Sequence, residues 1–447
     1  MKTKTKTITE FLNKDIKDYA MDVIENRAIP SVIDGLKPTS RKVVYVANKI
    51  WKNGTEKSMK VFQLAGTMSA TAFYHHGDQS ANTVITGMGQ TFKNSLPLLE
   101  GIGQYGTLRS TTAGAPRYIS TKLSPNFRNL YKDFELLESR YDEGNEIEPH
   151  FYLPIIPMVL NGNSGIAVGF ACNILGRNPK EVIQACIDTL NGKKIKELKP
   201  WLSEFNGTWI RDTENKNKWY NKGIYQIIKN DVHVTELPPS WTFEKYESYL
   251  DTLVDKKIIK DYDNNSSSGV DYLLKFKKDD LKELIEKGKL EDILKINDSS
   301  TENLTTLDEN GKLKIFDCVE DIVKYFVDFR LGYYQKRKDY LLDKYNTELK
   351  ELCFRAKFIK SIIDKKLKVN NVPKDDVINW LEENKFGKID DSYNYLLNMS
   401  IYSLTKEKYE DLINKAKQKK DLIDEISGKN PKDMYLEDLN ELKKKLK

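Results

Sequence analysis

Tyr118 directly follows Arg117 in Ala115-Pro116-Arg117-Tyr118-Ile119-Ser120, just downstream of the Gly-rich turn Gly103-Gln104-Tyr105-Gly106-Thr107. A tyrosine attacks only after losing its proton, and its ordinary pKa of ~10 means that a base, a cation or a metal must help at neutral pH. Arg117 supplies a permanent cation. Facing a phosphodiester, the same guanidinium can hold the non-bridging oxygens whose charge must be stabilised as phosphorus passes through its transition state. Arginine beside tyrosine is a common pairing in a chain with 24 tyrosines, so the company of the pair decides its meaning.

That company includes His75 and His76, two of only four histidines, in Phe73-Tyr74-His75-His76-Gly77-Asp78-Gln79-Ser80. Adjacent side chains diverge and no third ligand follows at a suitable spacing, which argues against zinc; one imidazole donating to a phosphate or an anionic transition state is the better chemistry. Core packing is the competing reading for either histidine. Lys37, Arg41, Lys42 and Lys49 form a basic set extended by Lys52, Lys57 and Lys60, suited to phosphate contacts, although a charge run is often only a solvated face. The run Asn161-Gly162-Asn163-Ser164-Gly165-Ile166-Ala167-Val168-Gly169 is neither a P-loop nor a dinucleotide fingerprint, since no Gly-Lys-Ser/Thr follows and the spacing is wrong. Ile166 on such a turn either packs in the core or stands out, where it could wedge between base steps. Asp261-Tyr262-Asp263 reads as solvated surface, and no metal site is expected.

The elements that must position these groups can be read from periodicity. After Pro38, Val43, Val44, Ala47 and Ile50 recur at helical spacing; Phe62, Leu64 and Ala65 suggest a second helix; Ala81, Val84, Ile85, Met88 and Phe92 suggest a third. Three short helices followed by Gly-rich strand-like pieces suit a helix-turn-helix with a wing. The Pro-rich stretch 151–157 predicts an extended connector and a first boundary. Beyond it helix and strand periods mix: Asn178-Pro179 opens a helix carrying Val182, Ile183, Cys186, Ile187 and Leu190, Val232 and Val234 alternate as a strand, and residues 264–269 form a loop between strands. From Asp321 the pattern is almost continuously helical, with Leu341, Tyr345, Leu349, Leu352, Ala356, Ile359 and Ile363 forming a seam. A weaker counterpart runs through Tyr409, Leu412, Ala416, Ile423 and Ile426, beyond an insert around 369–403, so antiparallel arms with a knob compete with an ordinary bundle. The expected fold class is α+β, with domains over 1–150, 151–320 and 321–447.

At 447 residues the chain has room for roughly three domains. Lys plus Arg (72) barely exceeds Asp plus Glu (66), so a polyanionic partner must be met by local patches. Cys172, Cys186, Cys318 and Cys353 are scattered without metal spacing, which fits a reducing compartment. No apolar run approaches the ~20 residues of a membrane helix, so no membrane partner and a cytoplasmic location are expected.

Taken together and in order, the 27–37 segment, Tyr74 to Ser80, Gly103-Gln104-Tyr105-Gly106, Pro116-Arg117-Tyr118 and Asn161 to Gly169 resemble the breakage-reunion part of type IIA DNA topoisomerases. The double histidine, Pro200-Trp201 and Thr235-Glu236-Leu237-Pro238 look more like the eukaryotic members than gyrase, while a separate chain of this length resembles the cleavage subunit of T4-like phage members. The resemblance implies a winged-helix domain, an α/β tower and a coiled-coil gate through which two copies dimerise. It makes Tyr118 the nucleophile that forms a 5′-phosphotyrosine on double-stranded DNA, Arg117 the residue stabilising the scissile phosphate, and His76 the support of the leaving 3′ oxygen. Arg27, Lys37, Arg41, Lys42 and His75 would hold DNA, and Ile166 would intercalate. It further implies Mg²⁺ and ATP bound by a partner subunit carrying the TOPRIM and ATPase modules, with relaxation and decatenation as outcome; the host cytoplasm is the expected location of a phage-encoded member. Outside this resemblance, a coiled-coil DNA-binding scaffold with a structural Tyr118 remains the alternative.

Overall fold

The computed structural model describes residues 7–52, 57–74, 76–267, 269–389 and 391–446. Helix α1, Pro38–Ile50, starts with proline in its first turn, where a missing amide proton leaves no bond unmade, and buries Val43, Val44, Val46 and Ala47. Helix α2, Val61–Thr71, buries Leu64, Ala65 and Met68, and helix α3, Asp78–Gly89, buries Ala81 and Ile85. The expected third helix reached Phe92, but α3 ends at Gly89, and Phe92 packs instead with Leu108 and Phe205. Gly89 closes the helix with room for a neighbour: a Cβ there would lie 2.7 Å from the Tyr105 ring, so the missing side chain is what lets Tyr105 in.

Three short antiparallel strands follow the helices in space. Strand β1 is Met59–Lys60, β2 is Leu99–Ile102 and β3 is Ser120–Leu123, with β3 in the middle. Lys60 pairs with Ser120, and Gly101 pairs with Thr121. Buried Tyr105 closes the turn after β2, its hydroxyl donating to the Ser120 carbonyl at 3.0 Å; burial pushes the phenol up to about 12, so it stays a neutral donor at physiological pH.

The Pro-rich stretch 151–157 is extended, but it is interior. Tyr152, Leu153, Ile155 and Ile156 are buried, Leu153–Pro154 pairs with Tyr131–Lys132, and the Ile155 amide donates to Leu130. Helix Pro179–Leu190 begins as expected, with the Asn178 side chain accepting from the Lys180 amide. A three-stranded sheet joins Thr208–Arg211, Lys218–Lys222 and Asn297–Thr301, and a four-stranded sheet runs in the order Ile224–Ile228, Asp231–Glu236, Tyr272–Lys275, Asp261–Asn264. Val232, Val234, Tyr272 and Leu274 from the second sheet share a core with Tyr246 and Leu250 of helix Phe243–Asp255. The result is a mixed helix and sheet architecture.

The chain divides into two compact units, Met1–Arg330 with Leu436–Lys447, and Leu331–Tyr435. The expected boundary at 150 therefore lies inside the first unit. Helix Val319–Ile363, 45 residues long, begins in the first unit and ends in the second. In the second unit it meets helix Lys406–Gly428: Lys338 donates to the Ser427 and Lys429 carbonyls, Glu348 pairs with Lys419 at 2.6 Å, and Ala356 and Ile359 pack on Leu412. Contacts that descend one helix while ascending the other make the two antiparallel. Residues 367–397 form a separate small core with Phe354 and Phe358 through Leu367, Val377, Leu381, Phe386, Tyr393 and Leu396. No helix among the described residues is long and apolar enough to cross a membrane.

Candidate functional site

Tyr118 sits on a turn whose backbone is fixed from both sides. Its amide donates to Ala115 at 2.8 Å, the Gly114 amide donates to Gln104 at 2.8 Å, and the Phe62 and Val61 amides at the start of α2 donate to Pro116 and Ile119. Lys60 of β1 reaches across and its Nζ donates to the Tyr118 carbonyl at 2.8 Å. Ile119 is buried beneath, yet the Tyr118 side chain is 73% exposed and Arg117 beside it is exposed. An exposed phenol and guanidinium on an immobilised backbone suit attack on a large external substrate, because little positional entropy is lost on engagement.

The segment that leads into this turn is bolted to the middle of the chain by a residue that no sequence motif singles out. Arg109 is buried, and its guanidinium donates to Glu236 Oε1 and the Leu237 carbonyl, each at 2.5 Å, and to Pro238 and Trp241 at 2.9 and 2.8 Å. Neighbouring Leu108 donates its amide to Glu204 Oε2 at 2.7 Å. Arg109 and the Thr235-Glu236-Leu237-Pro238 segment were both visible, but Arg109 and Glu236 are 127 positions apart and nothing in a single sequence pairs them.

A second cluster gathers Arg27, Lys37 and Ile166. Lys37 Nζ donates to the Ser164 carbonyl at 2.6 Å, which seats the hairpin Asn163–Ile166 and Ala171–Ile174 against the start of α1; burial pulls the Lys37 ammonium below the ordinary lysine value. Arg27 is exposed and pairs with Asp22 at 3.3 Å. Gly165 makes the seating possible, since a Cβ there would overlap the Ala28 carbonyl oxygen. Gly165→Ala is therefore expected to unseat the hairpin at a cost of about 1–3 kcal/mol. A thermal unfolding midpoint equal to that of the unsubstituted chain would reject this account. Ile166 itself is 88% exposed, and with Val168 and Phe170, at 40% and 38%, it forms an apolar tip closed by the Ala167 amide donating to Phe170. The structure thus chooses the outward alternative for Ile166.

Arg41 and Lys42 face inward. Arg41 is buried at 5% exposure, with Nε and Nη2 donating to Asp34 at 2.7 and 3.0 Å and Nη2 also to Leu36. Asp34 is fully buried and accepts from the Tyr152 amide at 3.1 Å, so this pair ties α1 to the interior stretch. Lys42 Nζ donates to the Ala72 carbonyl at the end of α2 and to Glu148 at 2.9 Å. A cation enclosed with its own carboxylate has little charge left to offer outside, which makes these two residues internal braces in this conformation. The Lys42 brace holds the approach to His76, whose exposed ring stands edge-on to buried Tyr74 at 5.3 Å. His75 lies outside the described residues. Among the described residues no hydrogen bond or ion pair joins the Tyr118 turn to the Lys37 cluster, and no group of three or more His, Cys, Asp or Glu side chains could hold a metal ion.

The family model for the DNA gyrase/topoisomerase IV A-subunit matches residues 27–443. The mitochondrial DNA topoisomerase 2 of Dictyostelium discoideum is 33% identical over 459 residues, covering 98% of this chain and 35% of that protein. The human DNA topoisomerase 2-beta is 33% identical over 485 residues, covering 98% of this chain and 30% of its own length. The crystal structure of the Plasmodium falciparum topoisomerase II DNA-binding, cleavage and re-ligation domain superposes with a TM-score of 0.86 at 31% identity, covering 97% of this chain and 64% of that one. The chain thus spans about a third of the length of these curated relatives.

Proposed function

Since this chain belongs to the DNA gyrase/topoisomerase IV A-subunit family of type IIA DNA topoisomerases, we propose that it is the DNA-cleaving part of such an enzyme, with Tyr118 as nucleophile. The observation that carries the reading is the exposed Tyr118 side chain, next to exposed Arg117, on a backbone fixed by Lys60, Phe62 and Val61. Tyr118 Oη forms a bond to phosphorus while the bond from phosphorus to the 3′ oxygen breaks. The products are a 5′-phosphotyrosine and a free 3′ hydroxyl, which takes up the proton lost by the phenol. Arg117 neutralises the non-bridging oxygens and His76 hydrogen-bonds the departing oxygen. Because the ester to tyrosine is comparable in energy to the phosphodiester it replaces, religation runs the same step backwards. Two copies, each cutting one strand, open a gate for a second duplex, giving relaxation and decatenation.

The finer assignments follow from the same premise. Helices α1 to α3 with the sheet β1 to β3 act as a winged helix, residues 151–320 as a tower, and the antiparallel helices of the second unit as a gate with a dimerisation knob. Arg27 and Lys37 hold the DNA backbone, Ile166 wedges into the duplex as an apolar side chain can between base steps, and Arg41 and Lys42 brace the segments that carry these contacts. Mg²⁺ and ATP belong to the proposed activity, and the family resemblance assigns both to a partner subunit with TOPRIM and ATPase modules. Four free cysteines fit a cytoplasmic setting, the host cytoplasm for a phage-encoded chain.

The test is which DNA end is blocked. With Mg²⁺ and the partner subunit present, denaturing the trapped complex is expected to leave protein on the 5′ end and an extendable 3′ hydroxyl; protein on the 3′ phosphate would overturn the assignment.

A further inference from the structure

The hairpin that carries Ile166 is held through both of its strands. Lys37 grips the first at the Ser164 carbonyl, and the second, Ala171–Ile174, runs into a buried charge cluster that the proposed chemistry does not use. Leu175, the next residue, donates its amide to Glu302 Oε1 at 2.8 Å, and its carbonyl accepts from Arg177 Nη1 at 2.7 Å. Arg177 in turn forks onto Glu302, Nη1 to Oε1 at 3.1 Å and Nη2 to Oε2 at 2.6 Å, while its Nε donates to the Leu198 carbonyl at 2.8 Å. Trp219 Nε1 also donates to Glu302, at 3.0 Å, and all three side chains are buried.

An ion pair taken out of water adds little net stability, because its desolvation offsets its attraction. What it fixes is direction: a planar guanidinium set on a carboxylate by two parallel bonds has one orientation. Direction matters at the base of this hairpin. Asn173 and Asn303 exchange amide-to-carbonyl bonds, each at 2.9 Å, and these with the Lys37 bond fix where the hairpin sits. Ile166 pairs with Ala171 at the far end of the strand, about 13 Å from Leu175 by strand geometry, so an error of about 10° at the base moves the tip by about 2 Å. A working side chain has to be held more closely, to within about 0.5 Å.

We infer that Arg177 and Glu302 are positioning residues, which set the angle of the hairpin and so aim Ile166; this rests on the proposed wedge role of Ile166. The Leu175 peptide is gripped at its amide by the carboxylate and at its carbonyl by the guanidinium, and the fork between those two groups keeps both grips in one plane. Trp219, from the strand Lys218–Lys222, orients the carboxylate from the opposite side without touching Leu175 by a hydrogen bond. The wedge therefore works as the tip of a lever whose base is a buried, directional contact, and the duplex meets a side chain already pointed.

The test uses the full chain and a short duplex labelled at both ends, whose bending is read by energy transfer, beside the same duplex made flexible by a central bulge of unpaired nucleotides. Arg177→Lys keeps a cation for Glu302 but has no fork, and Glu302→Gln must turn an amide donor toward N–H groups. Each should bind the intact duplex about tenfold more weakly and lose about half or more of the bending signal, yet bind the bulged duplex within about twofold of the unsubstituted chain. Trp219→Phe is the structural comparison: it takes volume from the same core but leaves both bonds to Leu175, so it should lower the unfolding midpoint and leave bending unchanged. Equal weakening on both duplexes, bending retained in Arg177→Lys and Glu302→Gln, or bending lost equally in Trp219→Phe would each overturn the positioning role. Ile166→Ala should lose the bend with the network intact. If it bends the duplex as the unsubstituted chain does, or if the unsubstituted chain leaves the duplex straight, the wedge reading falls and this inference with it.

Discussion

Tyr118→Phe is expected to abolish the covalent protein–DNA complex, with a fall in cleavage of about 10⁴-fold or more, while leaving the fold and DNA binding intact. The change removes one oxygen from a side chain that is 73% exposed, and the contacts that fix the turn are made by backbone atoms of Gly114, Pro116, Tyr118 and Ile119, which phenylalanine keeps. Stability should therefore move by no more than ~0.5 kcal/mol. Arg117 cannot take over, because a guanidinium orients and neutralises but does not attack phosphorus. Persistence of DNA-linked protein in the variant, assayed with Mg²⁺ and the proposed partner subunit, would show that another residue is the nucleophile.

Arg109→Ala should act in the opposite manner, on structure first. The guanidinium and the Glu236 carboxylate are almost wholly enclosed, at 7% and 6% side-chain exposure, and alanine leaves that carboxylate and three backbone carbonyls without their shared donor. Removing one partner of such a buried pair costs about 3–5 kcal/mol, which denaturant unfolding will read as a lower midpoint. Lysine should recover only part of the loss, since one ammonium cannot span acceptors on Glu236, Leu237, Pro238 and Trp241. Cleavage should fall too, because the segment that Arg109 anchors leads into the Tyr118 turn. If Arg109→Ala unfolds at the same denaturant concentration as the unsubstituted chain, the clamp has no structural weight.

The helices around the site were legible because each writes a local period. Val43, Val44 and Ala47 mark α1, Asn178-Pro179 starts its helix where the capping chemistry requires, and the alternation of Val232 and Val234 is the strand Asp231–Glu236. The end of α3 was misplaced because Phe92 fits the helical period. The helix ends at Gly89, where the Tyr105 ring packs so closely that a Cβ would lie 2.7 Å from it, a tertiary contact that the helical period of Phe92 does not reveal.

The site residues divide along the same line. Sequence alone determined which side chains could do the chemistry, the Arg117-Tyr118 pair and the histidine turn, because nucleophilicity and charge belong to residue types. It also placed them in the order that marks the family. Only the tertiary structure decided which cations face outward: Arg27 does, whereas Arg41 and Lys42, written in the same basic run, are drawn inward by Asp34 and by Glu148. It alone found Arg109, and it alone turned Ile166 outward. The physical reason is that a charge or an apolar side chain acquires its role from burial and from partners distant in sequence, and both exist only once the chain has folded.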